Sequence, residues 1–105
     1  MRYDQTVYLI QEDLAEDDDE LDYKPKTSVT TVKANVKRTN LTFGNGKMYD
    51  VTIARVFGEV EADKIGLSDY DPNDQSTIHE IQKVGRHFQR TDFYIVNSEV
   101  VFSHG

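Results

Sequence analysis

The sequence predicts an all-β, mainly antiparallel domain, a small β-barrel or sandwich with long loops and at most one short helix. Three observations predict it. Val32, Ala34 and Val36 alternate with Lys33, Asn35 and Lys37, the period-two pattern of a strand with one face inward and one face wet. Gly44-Asn45-Gly46 is the clearest turn signal, and Asn-Gly suits the positive φ angles of a type I′ hairpin. Short runs rich in Val, Ile, Tyr, Phe and Thr recur between clusters of turn residues. Five or six strands in short hairpins follow, and closing such a sheet removes its exposed edges.

Residues 6–10 (Thr6-Val7-Tyr8-Leu9-Ile10) are a compact β-prone first strand. An acidic loop occupies residues 12–26 and is punctuated by Pro25, which biases Lys24 to extended geometry. Residues 27–39 form the second strand, which continues toward Leu41-Thr42-Phe43. After the Asn-Gly turn, residues 47–57 form a long third strand on which Tyr49, Val51, Ile53, Arg55 and Phe57 share a parity. Arg55 interrupts that apolar set, which places a bulge near Ala54, and Gly58 suits a bend. Residues 59–67 change parity partway, as a short strand with a kink would, and residues 68–76 are a loop by composition. Residues 77–88 carry two patterns. Ile78, Ile81 and Val84 at three-residue spacing, with a Thr77/Glu80 capping box, fit a short helix; Gly85 and the surrounding β-prone sequence fit a strand. Arg90-Thr91-Asp92 reads as a turn, and residues 93–96 and 100–102 as a last strand bent at Asn97-Ser98.

A chain of 105 residues is one domain by ordinary size. Its 37% hydrophobic content predicts a small core, helped by six Tyr and five Phe. The absence of Cys removes disulfides, thiolate nucleophiles and Cys-based zinc sites. No apolar run approaches membrane-spanning length and no signal-peptide pattern opens the chain, so synthesis and folding in a cytoplasm, with no membrane partner, are expected. Asn40-Leu41-Thr42 matches a glycosylation acceptor, a chance match in that setting.

Charge is concentrated. Glu12, Asp13, Glu16, Asp17, Asp18, Asp19, Glu20 and Asp22 are eight carboxylates within residues 12–22. The formal net charge is −7, and the rest of the chain carries 12 basic against 11 acidic residues. These like charges repel and cannot be buried unpaired, so the run is either a solvated loop or a partner surface. The basic residues are spread out. Lys33, Lys37 and Arg38 lie along the second strand, and Arg86 and Arg90 flank His87 and Phe88. They read as solvated faces or as the counter-surface for a neighbouring subunit's acidic loop.

Catalytic chemistry is hard to assemble. His79, His87 and His104 lack a recognisable nucleophile or third metal ligand, and no phosphate-cradling glycine loop occurs. Asp69, Asp71, Asn73, Thr77 and Glu80 follow the oxygen spacing of a calcium loop, but Asp74 stands where the sharp turn wants glycine and Pro72 sits inside it. No cofactor or metal is expected, and the loop reads as a turn cluster.

The order of elements resembles a family. Met1-Arg2-Tyr3-Asp4 runs into Val7-Tyr8-Leu9-Ile10, a variable polar loop follows, then Val32-Lys33-Ala34-Asn35-Val36, then Val51-Thr52-Ile53-Ala54-Arg55-Val56, and finally Tyr94-Ile95-Val96. This resembles the head–tail joining proteins of long-tailed bacteriophages, also called head-closure or stopper proteins. The resemblance implies a non-enzymatic virion protein, made in the bacterial host cytoplasm, with a small β-barrel fold. It also implies a homo-oligomeric ring, twelve-fold or, nearer the tail, six-fold, between portal or adaptor and tail-completion proteins. DNA would pass through its channel without sequence-specific binding. An inter-strand loop at residues 12–26, 40–47 or 67–76 would face that channel. The acidity of the first departs from a DNA-gripping loop, because carboxylates repel phosphate. The alternative is a small acidic DNA mimic that inhibits a nucleic-acid-binding host protein, which needs its carboxylates spread over a rigid face.

Overall fold

Seventeen consecutive residues of one strand organise the molecule. The computed structural model describes residues 3–13 and 26–100. It shows one antiparallel sheet of β1 (Gln5–Asp13), β2 (Lys26–Thr42), β3 (Met48–Phe57), β4 (Lys64–Gly66), β5 (Ile78–Glu80), β6 (Lys83–His87) and β7 (Arg90–Glu99), in the order β5-β4-β1-β2-β3-β7-β6. The long strand β2 is shared by two hairpins. Residues 26–34 of β2 pair with β1 and residues 34–42 pair with β3, so Ala34 lies opposite both Gln5 and Val56. The two hairpins therefore point to opposite ends of about 50 Å of strand.

The sheet rolls up because of its chain connectivity. β5 and β6 stand at opposite edges of the strand order, yet only Ile81 and Gln82 separate them in sequence. Three Cα steps span at most about 11 Å, so the two edges must approach each other. The result is a barrel-like roll closed by a covalent corner instead of a hydrogen-bonded ladder. The Gln82 N–H fixes the corner by donating to the Tyr94 carbonyl at 2.8 Å. The extended segment 59–63, entered at Gly58 with φ +100°, crosses one end of the roll. Thr91 Oγ1 donates to the Gly58 carbonyl and accepts from the Val60 N–H, while the Asp63 N–H donates to the Ile10 carbonyl on the far side.

The inner face follows from register. Val7 and Leu9 on β1, Ala34 on β2, Ala54 and Val56 on β3, Ile65 on β4, and Phe93 and Ile95 on β7 form the core. Val32, Val36, Val60, Ala62, Leu67 and Ile81 pack around it. Phe93 is fully buried and directly opposite Ala54. Ala54 leaves room for its ring in a cluster that also holds Ala34, and burying such a ring contributes about 2–3 kcal/mol.

Several expectations are corrected. β3 is buried on both parities: Ala54 and Val56 join the cluster around Phe93, where the space requires small residues, and Val51 and Ile53 of the expected apolar set are also buried, on the other side of the strand. The bulge lies at Asn97, where the β3–β7 register steps between Asp50 and Val51, and not at Ala54; the expected bend at Asn97-Ser98 is this irregularity. Asn97 then donates from Nδ2 to Thr52 Oγ1 at 2.8 Å. Of the two patterns in residues 77–88 the strand alternative holds, with two strands and the closing corner, and among the described residues the only helical element is the 3-10 turn Gln75–Thr77, within the expected one short helix at most. Arg90, Thr91 and Asp92 start a strand; the turn is at Phe88 and Gln89, the latter with φ +58°. The 44–46 hairpin is not type I′. Only Gly46 has a positive φ, at +78°, which fits a type I turn followed by a left-handed residue.

One glycine has a packing reason. A Cβ on Gly66 would stand 2.4 Å from Tyr70 Cδ2. The Tyr70 ring lies over the bare backbone there and stacks on Tyr8, whose Cα pairs with Gly66, at 4.7 Å between centroids. This anchors the 67–77 loop to the outside of β1 and β4.

Candidate functional site

The acidic run sits at the end of an arm. β1 extends through Glu12 and Asp13, and β2 begins at Lys26, so both ends of the expected 12–26 loop are strand, and residues 14–25 lie outside the described residues. The arm keeps its ladder beyond the core, with Glu12 paired to Thr27 and residues 27–31 of β2 exposed. Glu12 is held from two sides. Its N–H donates to Asp63 Oδ2 at 2.8 Å, and its carboxylate lies 3.1 Å from Lys64 Nζ. Glu16, Asp17, Asp18, Asp19, Glu20 and Asp22 lie outside the described residues. Two shallow depressions of about 390 and 380 Å³ flank the arm and share Glu12 in their linings. Neither is lined by a histidine.

The 67–77 loop is built on its own hydrogen bonds. Buried Thr77 accepts from the Asp71 N–H at 2.9 Å and donates to the Asp74 carbonyl at 2.7 Å. Asp71 Oδ1 accepts from the Asn73 N–H, and Asp74 Oδ1 accepts from both the N–H and the hydroxyl of Ser76. Those Ser76 bonds hold the Asp74 carboxyl below the usual carboxylate range. Of the residues at calcium-like spacing, Asp71, Asn73 and Thr77 are engaged in turns within the loop. Among the described residues no group of three or more His, Asp or Glu is placed to hold a metal ion. Nor is any helix among them long and apolar enough to cross a membrane.

The outer face of β2-β3-β7-β6 holds what the sequence reading missed. Lys37, Ile53, Tyr94 and Lys83 form one cross-strand row; Asn35, Arg55, Asp92 and Gly85 form the next; Phe57, Arg90 and His87 form the third. Asp92 is 1% exposed at the centre. Arg90 Nε lies 3.1 Å from its Oδ1, and Arg55 Nε and His87 Nε2 lie 3.6 and 3.4 Å from its Oδ2. Gly85, directly opposite Asp92, leaves open the space where a Cβ would come within 3.4 Å of His87 Nε2 and within 3.3 Å of the Tyr94 ring. Lys83 Nζ sits over that same ring, 5.6 Å from its centroid. The signal that locates this cluster is the alternation of Arg90, Asp92 and Tyr94 with Thr91, Phe93 and Ile95, a strand pattern that begins at residue 90 and not at 93.

Arg86 and Arg38 lie on the opposite parity of β6 and β2 from this face. Arg86 points with the inner set, donating to the Val60 carbonyl and pairing with Glu61 at 3.7 Å. Arg38 forks onto Asp50, its Nε 2.9 and 3.0 Å from the two carboxylate oxygens. The hydrogen bond from Arg38 is the main cause holding the Asp50 carboxyl below its ordinary range, and the same bond raises the Arg38 pKa. A carboxyl depressed in the folded state adds stability above its unfolded pKa, near 3.9, and loses it as the pH falls through the lower folded value. Asp50→Asn is therefore expected to lower stability at pH 7 and to reduce its further loss below about pH 4. Urea midpoints from pH 7 to 2.5 measure this, and an acid limb identical to wild type would show that the fork carries no linkage. No protein-family model, curated protein or solved structure matches the chain.

Proposed function

We propose that this chain is a structural subunit of the head–tail connector of a long-tailed bacteriophage, closing the head below the portal or adaptor and offering a docking surface to the tail. The observation that carries the reading is the position of the acidic run, at the end of a hairpin arm that leaves a barrel-like body. A ring subunit needs a body to pack sideways and projections toward the layers above and below. β2 supplies both, with one hairpin at each end. Carboxylates on such an arm repel passing DNA phosphates and attract basic patches on a neighbour. The order and length of the strands support the same family. The DNA-mimic alternative is less well supported, because it requires carboxylates across a rigid face, and the face of β2-β3-β7-β6 is apolar inside and cationic outside.

An amber codon in place of Tyr8, in the phage genome encoding the chain, tests this. On a non-suppressing host the lysate is expected to hold emptied heads and unattached tails by electron microscopy, with joining restored by the wild-type chain supplied in trans. A normal yield of complete infectious particles would remove the connector reading.

A further inference from the structure

We infer that the outer face of β2-β3-β7-β6 is the docking site for the acidic run of a second copy of this chain. The face is cationic by construction. Its rows present Lys37, Lys83, Arg55 and Arg90, and Lys33 continues the same side of β2. The one carboxylate in those rows, Asp92, is buried and already engaged by two arginines and His87. It organises the arginines without cancelling the lysines. Arg55 and Arg90 keep 23% and 28% of their side chains exposed. Between the cations lies apolar surface: Phe57, 66% exposed, and half-buried Tyr94.

The occupant matches on both counts. Beyond the β1 ladder, residues 14–22 carry six carboxylates, and Leu14 and Leu21 punctuate them. An acidic segment with two aliphatic side chains fits a cationic face with exposed aromatic surface. Geometry decides between a chain's own run and a neighbour's. The run is tethered at Asp13 and Lys26, which pair with each other. Twelve residues going out and back reach at most about 21 Å. The Arg55 row lies beside Asn35, nine residues along β2 from Lys26, or about 30 Å. A chain cannot reach its own Arg55 row, so the contact forms between copies. Because the two surfaces differ, the contact is heterologous, and repetition closes a ring or extends a filament. The contact deepens the connector reading, on which its biological setting rests, but it is testable on the purified chain alone.

Sedimentation velocity on the full chain, from 10 to 500 µM, is the test. In 20 mM NaCl, concentration-dependent association is expected, weakened at least tenfold in 500 mM NaCl. Two sets of substitutions, Asp17→Lys with Asp18→Lys and Asp19→Lys, and Lys33→Glu with Lys37→Glu, should each abolish it while leaving the circular dichroism spectrum unchanged. Mixing the two variants should restore association as a mixed complex. Absence of association at low salt, association indifferent to both sets, or failure of the mixture to associate would each overturn the proposal. So would tight binding of a 20-base-pair DNA duplex that is lost in the Lys33→Glu/Lys37→Glu chain, which would assign the face to nucleic acid. A connector phenotype from the amber test together with no self-association would leave the connector reading intact and remove only this contact.

Discussion

Asp92→Asn is expected to destabilise the fold by about 3 kcal/mol, because it removes the only anion among Arg55, Arg90 and His87 while keeping the side-chain shape. Removing one member of a buried charge cluster usually costs about 3–5 kcal/mol, and the lower end applies here because both arginines are about a quarter exposed. The melting temperature should fall by roughly 10 °C or more. Urea denaturation would show a lower midpoint with an unchanged slope. Replacing the whole cluster by apolar residues, as Asp92→Leu with Arg55→Met and Arg90→Leu, should recover much of the loss, since no desolvated charge is then left unpaired. An Asp92→Asn protein as stable as wild type would mean that the cluster is solvated and contributes nothing to the fold.

Phe93→Ala should have a comparable effect, a loss of about 3–5 kcal/mol. The ring is fully buried opposite Ala54, and Ala34 and Ala54 cannot grow to fill the space it would leave. Domains of this size have about 5–15 kcal/mol in total, so the variant should be partly unfolded near 37 °C. Thermal unfolding followed by circular dichroism measures this. Phe93→Leu, which keeps most of the volume, should cost much less. Equal losses for alanine and leucine would show that ring shape, and not cavity volume, sets the cost.

Local pattern made much of this architecture legible. The alternation of residues 32–37 identified β2 and its inner face, and the glycines at 44 and 46 placed the hairpin turn. The acidic run was visible as composition, and the arm that carries it falls where the first and second strands meet. Three features were not legible because they depend on distant partners. β3 is buried on both parities, and that Ala54 and Val56 also face a core is set by the need for alanine against Phe93 from a distant strand. The helical spacing of Ile78, Ile81 and Val84 comes from a strand, a corner and a second strand, a coincidence that only the rolled sheet explains. Asp92 looked like a turn residue because acidic residues favour turns. Its burial depends on Arg55, 37 positions earlier in the chain, and on the room left by Gly85 across the ladder.

The sharing of β2 between two hairpins has a mechanical consequence. The arm bearing the acidic run and the Gly44-Asn45-Gly46 tip are joined by the backbone of one strand, Lys26 to Thr42. A strand rises about 3.2–3.4 Å per residue against a limit of about 3.3–3.6 Å, so it has almost no slack. Tension applied between the two tips travels along covalent bonds and does not have to be borne by the hydrogen bonds of either ladder. Compression is resisted by bracing from β1 along one half and β3 along the other. The molecule thus behaves as a tie rod set through a small barrel: a pull at one end arrives at the other with little stretch, while the core around Phe93 carries little of the load.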